Sequence, residues 1–175
     1  MSEVIIRHLT LDDAEAFFAL RLEALKTNPE AFGADYEVTL ADHSVETYKE
    51  RIPSAGSDKV IIYAEIDGKL VGMMGFIREI RIKIKHCGVI WGVYVTPSAR
   101  GQGIAKKMMQ ATMTHIQTCE DLKLVTLTVI TENIGAIKLY ESFGFEIWGT
   151  QPKALWVNDR LYDMHWMSYQ LEDKF

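Results

Sequence analysis

The 175-residue chain has 19 basic and 24 acidic residues, a formal net charge of -5 and 48% hydrophobic residues. This length and composition predict one soluble domain with its own core, and the acidic balance argues against binding to duplex nucleic acid. Cys87 and Cys119 are too few for a disulfide scaffold and lack the close spacing of a zinc site, so we predict no metal. No signal peptide or run of 18 apolar residues is apparent, so we expect a cytoplasmic protein without a membrane contact.

The first part of the chain predicts a short strand followed by two helices. The strand covers residues 3–8, and Thr10 and Asp13 resemble a capping box in front of a helical apolar pattern. Asn28-Pro29 ends that helix. The next segment, "EAFGADYEVTLADH", is expected to be an irregular connection with room for one short helical turn. Ser44 then starts a second helix that ends near Ile52-Pro53, and residues 54–58 form a loop.

The middle of the chain predicts a β-hairpin and a third neighbouring strand. The runs "KVIIYAEI" and "KLVGMMGFI" flank Asp67-Gly68, which is the strongest local signal for a tight hairpin. A charged stretch, 78–86, leads to another strand at 88–95.

The last part predicts two further helices and three further strands. The helices are expected at about 102–118 and in "TENIGAIKLYESF", which Gly144 ends. The strands are "KLVTLTVI", "FEIWGT" and "RLYDMHWMSYQL", with a turn near Asn158-Asp159. Because a strand-helix-strand order implies a parallel pair with a right-handed crossover, we predict a mixed sheet with helices on both faces.

The segment "TPSARGQGIAKKMM", Thr96 to Met109, places two glycines where a strand becomes a helix. A dinucleotide fingerprint is disfavoured because Lys106 occupies the position of its third small residue, and the G-K-[ST] of a P-loop is absent. A third design remains, in which backbone N–H groups and the helix N-terminus bind a pyrophosphate. Arg100 would then contact a phosphate or fix the turn.

Two segments carry a resemblance to a known family. Arg100 to Ala105, "RGQGIA", matches the R/Q-x-x-G-x-G/A signature of the GNAT superfamily of N-acetyltransferases. Asn133 to Phe145 resembles that family's N-x-x-A-x-x-L-Y-x-x-x-G-F segment at every fixed position. The resemblance covers about residues 88–147, as the acetyl-CoA-binding core of a single N-acetyltransferase domain spanning 1–175. It implies an α/β fold with a mixed, mostly antiparallel sheet of about seven strands, whose parallel pair splays apart.

The resemblance also implies where acetyl-CoA binds. Strand backbone would face the pantetheine arm, amides of the glycine turn would surround the pyrophosphate, and the later helix would contact the cofactor through Asn133. The expected cofactor-binding residues are Val93, Tyr94, Val95, Arg100, Gly101, Gln102, Gly103, Ile104, Ala105, Lys106, Asn133 and Ala136. Tyr140 corresponds to the tyrosine beside the thioester sulfur, where a phenol can protonate a thiolate.

Helical spacing supports this independently, because Asn133, Ala136 and Tyr140 share one face while Leu139 and Phe143 are expected to enter the core. No carboxylate matches the family's general base. Glu37, Glu79 and His86 are candidates for that role, and an acceptor that arrives deprotonated would need none. A free strand N–H would stabilise the oxyanion, with Val95 or a neighbour as donor.

The acceptor is expected near the connection after the first helix, whose acidic and aromatic residues could attract and shield a cationic amine. These residues are Glu30, Phe32, Asp35, Tyr36, Glu37 and Asp42, of which we select Tyr36 and Glu37. The C-terminal segment is the other candidate wall, through Trp156, Tyr162, His165 and Trp166. We predict an N-acetyltransferase that acts on the primary amine of a polyamine, amino acid or antibiotic-like molecule by direct ternary-complex transfer. A protein N-terminus or lysine is the alternative acceptor, and a non-catalytic CoA-binding module is the alternative class. The tryptophan-rich C-terminus is compatible with a homodimer.

Overall fold

A computed structural model describes residues 3–52 and 58–171, so most of the predicted loop 54–58 lies outside the described residues. Seven strands form one sheet: β1 (Val4–His8), β2 (Lys59–Ile66), β3 (Lys69–Arg78), β4 (Cys87–Val95), β5 (Leu124–Ile130), β6 (Glu146–Val157) and β7 (Arg160–Gln170). Their order across the sheet is β1-β2-β3-β4-β5-β7-β6. Within the described ranges, no helix has both the length and the apolar character needed to cross a bilayer.

The sheet is mixed, as predicted, with β4 and β5 as its parallel pair and antiparallel pairing between all other neighbours. The predicted hairpin between β2 and β3 is confirmed. Asp67 and Gly68 both adopt positive φ, at 49° and 75°, which a tight hairpin turn requires. Strand β6 runs seven residues beyond the predicted "FEIWGT" segment and reaches Val157.

Five helices accompany the sheet: α1 (Ala14–Thr27), α2 (Tyr36–Asp42), α3 (Val45–Arg51), α4 (Ile104–Thr118) and α5 (Ile134–Glu141). The predicted N-cap of α3 is confirmed, since Ser44 Oγ accepts a hydrogen bond from the Thr47 amide at 3.3 Å. The irregular connection predicted after α1 is wrong over α2. Asp35 Oδ1 accepts from the Val38 amide at 3.0 Å, and this cap starts a seven-residue helix.

Helices cover both faces of the sheet, as predicted, and each face has its own core. On one face α4 and α5 pack over the strands; the buried residues there include Met74, Phe76, Met108, Ile116 and Tyr140. On the other face α1 and α3 do the same; the buried residues there include Phe17, Leu25, Tyr48, Tyr63 and Tyr94. We call these two sides of the sheet the α4 face and the α1 face. Each borders a different side of the candidate site described below.

Strands β4 and β5 pair only near their beginnings, which confirms the predicted splay. Pairing connects Cys87–Val89 with Leu124–Thr126 and ends there, although β4 continues for six more residues. Opposite β3, the register shifts between Met73 and Gly75, and Gly92 of β4 has a φ of 66°. A bulge of this kind bends a strand and increases its twist. The bend carries β4 away from β5 and leaves a slot between them.

Candidate active site

A cavity of about 740 Å³ lies in the slot where β4 leaves β5. One wall is the end of β4, from Val93 to Val95, and another is the turn that leads into α4. The third wall is α5, through Asn133, Ala136 and Leu139. The fold thus brings together the strand, turn and helix that the two sequence motifs singled out.

The glycine turn offers bare backbone to this cavity. Gly101 and Gly103 have φ values of 78° and 73°, and a side chain at either position would meet no heavy atom within 4 Å. The six amides from Gly101 to Lys106 have no hydrogen-bond acceptor among the described residues, and the first helical bond runs from the Lys107 amide to Gly103 at 3.0 Å. Free amides at a helix N-terminus, where the helix dipole is positive, form a site for a phosphate group.

Arg100 holds the turn in place. Its Nε donates to the Val95 carbonyl at 2.9 Å, and an Nη donates to Asn28 Oδ1 at 2.7 Å. The guanidinium also lies 5.7 Å from the ring centroid of Tyr94. Arg100 therefore ties together the strand end, the turn and the end of α1, while it also lines the cavity. Arg100 was predicted either to contact a phosphate or to fix the turn, and these contacts correspond to fixing the turn.

Tyr94 fixes the cavity's strand wall against α1. Its ring is buried in the α1 face, and its hydroxyl donates to Glu23 Oε1 at 2.8 Å. The Thr96 hydroxyl also donates to Glu23. Burial raises the pKa of Tyr94, so this phenol stays protonated and keeps its donor role. The Glu23 carboxylate of α1 thus binds both Tyr94 of β4 and Thr96, which directly follows that strand.

Helix α5 presents its N-terminus to the cavity. Asn133 Oδ1 accepts from the Ala136 amide at 3.2 Å, so Asn133 caps its own helix while lying in the cavity wall. Leu139 packs against the α4-face core, as expected, but it is partly exposed and also lines the cavity. Asn133, Ala136 and Leu139 thus line the cavity together, whereas Tyr140, which the spacing grouped with Asn133 and Ala136, does not.

Tyr140 lies beneath this wall and does not line the cavity. It is 5% exposed and packs near Phe145, with ring centroids 6.3 Å apart. Burial raises the pKa of Tyr140 well above its usual range, which keeps the phenol protonated. Its hydroxyl has no hydrogen-bond partner among the residues that the structure describes. The group is therefore a proton donor without an acceptor inside the described part of the protein.

Several residues predicted at the site lie outside the cavity wall. Gln102 is exposed in the turn, and Tyr36 and Glu37 lie on α2, where Lys26 Nζ is 5.6 Å from the Tyr36 ring centroid. From the same connection it is Glu30 and Phe32 that line the cavity. The proposed bases Glu79 and His86 lie at the far end of β4, beside Cys87. Tyr36 packs against the core of the α1 face and does not line the slot.

An ion pair that the sequence analysis missed borders the cavity. Arg160 binds Glu132 at 2.6 Å and lies over the Tyr162 ring at 4.7 Å. All three residues line the cavity, and Tyr162 belongs to the predicted C-terminal wall. Glu132 directly precedes the Asn133 motif, which was an available signal. Its partner is 28 residues away in sequence, so the pair itself had no local signature.

Comparison with known proteins gives the same assignment as the geometry. The family model described as acetyltransferase (GNAT) family matches residues 23–145. An L-amino acid N-acetyltransferase of Escherichia coli is 29% identical over 172 residues, which cover 96% of this chain and 98% of that protein. A spermine/spermidine N(1)-acetyltransferase of Bacillus subtilis is 33% identical over 87 residues, covering 47% of this chain and 57% of that protein.

A solved structure shows the same fold. It is a putative acetyltransferase from Salmonella typhimurium with its cofactor acetyl-CoA, at a TM-score of 0.79 and 20% identity. The match covers 99% of this chain and 97% of that one. The family model spans more than half of the chain and includes the strand, the glycine turn and α5. The chain therefore belongs to the acetyltransferase (GNAT) family, whose members take the acetyl group from acetyl-CoA.

Proposed function

We propose that this enzyme transfers acetyl from acetyl-CoA to the primary amine of a small molecule, an amino acid or a polyamine, in a direct ternary complex. The observation that carries the proposal is the slot between β4 and β5, which opens beside six free backbone amides. Acetyl-CoA needs that combination, because its diphosphate requires an anion-binding site and its extended acyl arm requires a strand edge.

The residues present fit the donor. The amides from Gly101 to Lys106 would bind the pyrophosphate, and the part of β4 that does not pair with β5, from Val93 to Val95, would bind the pantetheine arm. Asn133 and Ala136 border the same arm from α5, where the small side chain of Ala136 leaves room. Lys106 is exposed at the start of α4 and adds positive charge. Acetyl-CoA supplies the activated acetyl group, and the chain orients it.

Tyr140 is the proposed proton donor to the leaving thiolate. Tyr140 lies one helical turn after Ala136, which lines the cavity, and its hydroxyl has no competing partner among the described residues. A raised pKa keeps the proton available at neutral pH until a stronger base forms nearby. Burial also excludes water from this proton transfer. Val95 or a neighbour in the part of β4 that does not pair with β5 stays our proposed oxyanion donor.

The acceptor side offers a carboxylate that the sequence analysis did not choose as a base. Glu30 lines the cavity and forms no ion pair with a described residue, whereas Glu132 is bound to Arg160. We assign Glu30 the role of receiving the ammonium proton. Phe32 beside it supplies an apolar wall. Glu30 and Phe32 therefore replace Glu37 and Tyr36 in the proposal for the acceptor wall.

Direct transfer is supported by the positions of the two cysteines. Cys87 lies at the start of β4 and Cys119 follows the end of α4, and neither lines the cavity. An acetyl-cysteine intermediate would need a thiol in the slot. Initial velocities measured against both substrates should therefore give intersecting lines, whereas parallel lines would indicate a covalent intermediate.

The experiment is thiol release from acetyl-CoA across L-amino acids, polyamines and a short peptide. Tyr140→Phe should lower kcat at least tenfold while the KM for acetyl-CoA stays within about twofold, because a general acid contributes roughly 10²–10⁴-fold. Tyr169→Phe is the matched control, since Tyr169 also packs near Phe145, with ring centroids 5.6 Å apart, but lies near the end of β7 and not on α5. Equal activity of both variants would remove Tyr140 from the mechanism. CoA binding without release from any amine would favour the regulatory module.

The homodimer stays a proposal, and the exposed surface of the β6–β7 hairpin supports it. Ile147, Trp148, Trp156 and Leu161 are 41%, 61%, 74% and 48% exposed there. Strand β6 is also an edge strand of the sheet. Large apolar groups exposed along an open edge of a sheet are typical of association surfaces. A second copy of this chain is the occupant we propose.

The cytoplasmic location stays a prediction from the sequence.

A further inference from the structure

Arg21 occupies an unusual place for an arginine. It lies four residues after Phe17 and four before Leu25, and both of these are 1% exposed in the α1 face. Residues at this spacing share one side of a helix, so the guanidinium is directed toward the sheet. Arginine is rarely placed on such a surface unless a negative group accompanies it.

The structure supplies no negative group for Arg21 among the described residues. The guanidinium lies 4.7 Å from the ring centroid of Phe32, and its Nη1 is buried without a hydrogen-bond partner. Burial lowers the pKa of Arg21, and only the nearby Tyr48 hydroxyl favours the charged form. Arg51, the other charged neighbour, has the same sign and lowers the pKa further.

Three acidic side chains on or beside α1 already have partners, while Glu30 forms no ion pair with a described residue. Asp13 and Glu65 both bind Arg7, at 2.7 and 2.8 Å. Glu23 accepts hydrogen bonds from the hydroxyls of Tyr94 and Thr96. None of these carboxylates forms an ion pair with Arg21, so its positive charge has no carboxylate partner among the described residues. A ligand with a negative group would supply what is missing.

The position of Arg21 relative to the slot indicates which ligand this is. A Cβ at Gly92 would lie 3.9 Å from Arg21 Nη1, and Gly92 is the bulge at which β4 turns away from β5. Phe32, against which the guanidinium stacks, lines the cavity. Arg21 thus lies on the α1 face of the slot, whereas the free amides begin α4 on the opposite face. The phosphates and the acceptor would approach from different faces.

We infer that Arg21 binds the carboxylate of the acceptor, and hence that the acceptor is an α-amino acid. This inference rests on the proposed function and narrows it. A guanidinium binds a carboxylate through two parallel hydrogen bonds, which also fixes its orientation. One carbon separates the carboxylate of an α-amino acid from its amine, so anchoring the first holds the second beside the bulge. A nearby positive charge also favours the neutral, nucleophilic form of the amine.

The test compares amino acids with the amines that lack only the carboxylate. The pairs are L-leucine with 3-methylbutylamine, L-phenylalanine with 2-phenylethylamine, and L-arginine with agmatine. For at least one pair the wild-type enzyme should prefer the amino acid at least tenfold in kcat/KM, as expected for a charged hydrogen-bonded contact. Arg21→Met should raise the KM of that amino acid about tenfold or more and leave the KM of its amine unchanged.

Arg51→Met is the matched control, because it removes a neighbouring positive charge that also stacks on Tyr48, at 4.9 Å. It should leave the preference for the amino acid intact. Arg21→Met should keep the melting temperature or raise it, since replacing an unpaired buried charge by an apolar side chain is often neutral or stabilising. Arg21→Lys should restore part of the preference.

Three results would overturn the inference. One is a wild-type enzyme that uses the amines as well as the amino acids. Another is an Arg21→Met enzyme that loses both members of a pair equally, which indicates a structural role. The third is acetylation of polyamines with no turnover of the amino acids. In each case the proposed acetyltransferase function survives, whereas an absence of turnover with any amine would remove both proposals.

Discussion

Gly103 allows the site to be tested without disturbing the core. Its φ of 73° lies in the left-handed region, and a methyl group there would meet no protein atom within 4 Å. Gly103→Ala therefore introduces no clash and costs only the conformational preference of about 1–2 kcal/mol. The methyl group would project among the amides that we assign to the pyrophosphate. We expect Gly103→Ala to bind CoA at least tenfold more weakly, a loss of about 1.4 kcal/mol.

Gly68 provides a control that matches Gly103 in conformation and space. Its φ is 75°, a methyl group there also meets nothing within 4 Å, and it belongs to the β2–β3 hairpin and not to the cavity wall. Gly68→Ala should therefore lose the same free energy of unfolding as Gly103→Ala in urea. It should bind CoA like the wild type by calorimetry. The reasoning is refuted if both variants lose CoA affinity equally, or if Gly103→Ala binds as tightly as the wild type.

Two further predictions concern stability and assembly. Arg7 holds the pKa of Asp13 below its usual range through hydrogen bonds, so Asp13 stabilises the fold at pH values above its unfolded pKa of about 3.9 and loses this effect as the pH falls. Asp13→Asn should lower the free energy of unfolding by about 1–2 kcal/mol at pH 7. In urea titrations, the difference in this free energy between variant and wild type should shrink toward pH 3. A difference that does not change with pH would contradict the assignment. Trp156→Ser should convert a dimer to a monomer in sedimentation velocity with little change in melting temperature, because Trp156 is 74% exposed, whereas a wild-type monomer would exclude the dimer.

Local signals in the sequence were sufficient for most of the fold. The Asp67-Gly68 turn and the Gly101–Gly103 turn could be predicted because each needs positive φ values that glycine and aspartate tolerate, and both turns have them. Helix α2 could not be predicted from periodicity, because Thr39 is its sole residue buried from solvent. Its stability comes from the Asp35 cap and from packing beside α1, and periodicity does not report either.

The site was predictable to the level of segments but not of orientation. Spacing placed Asn133, Ala136 and Tyr140 on one face of α5, yet Tyr140 is buried while Leu139 lines the cavity. The rotation of a helix about its own axis depends on its partners in the core, here Phe145 and the sheet. The residues that line the acceptor side come from segments far apart in sequence, so no single window of the chain contains them together.

The burial of Arg21 could be predicted from the sequence, but the role that we propose for it could not. The spacing from Phe17 to Leu25 already places an arginine on the buried side of α1. Its importance depends on Gly92, more than seventy residues later, whose bulge brings the slot beside the guanidinium. The spacing that buries Arg21 can be read within α1, but the bulge at Gly92 that brings the slot beside Arg21 lies in a distant segment.

The bulge at Gly92 links the two halves of the proposed reaction. Pairing between β4 and β5 ends at Val89, and the positive φ of Gly92 turns the strand so that the backbone from Val93 to Val95 borders the cavity. The same turn places bare backbone beside Arg21 on the opposite face. A residue with a Cβ at Gly92 would strain the strand, because the φ there is 66°, and its Cβ would contact the guanidinium at 3.9 Å. Donor and acceptor binding therefore depend on one backbone conformation, and their free energies cannot be independent of each other.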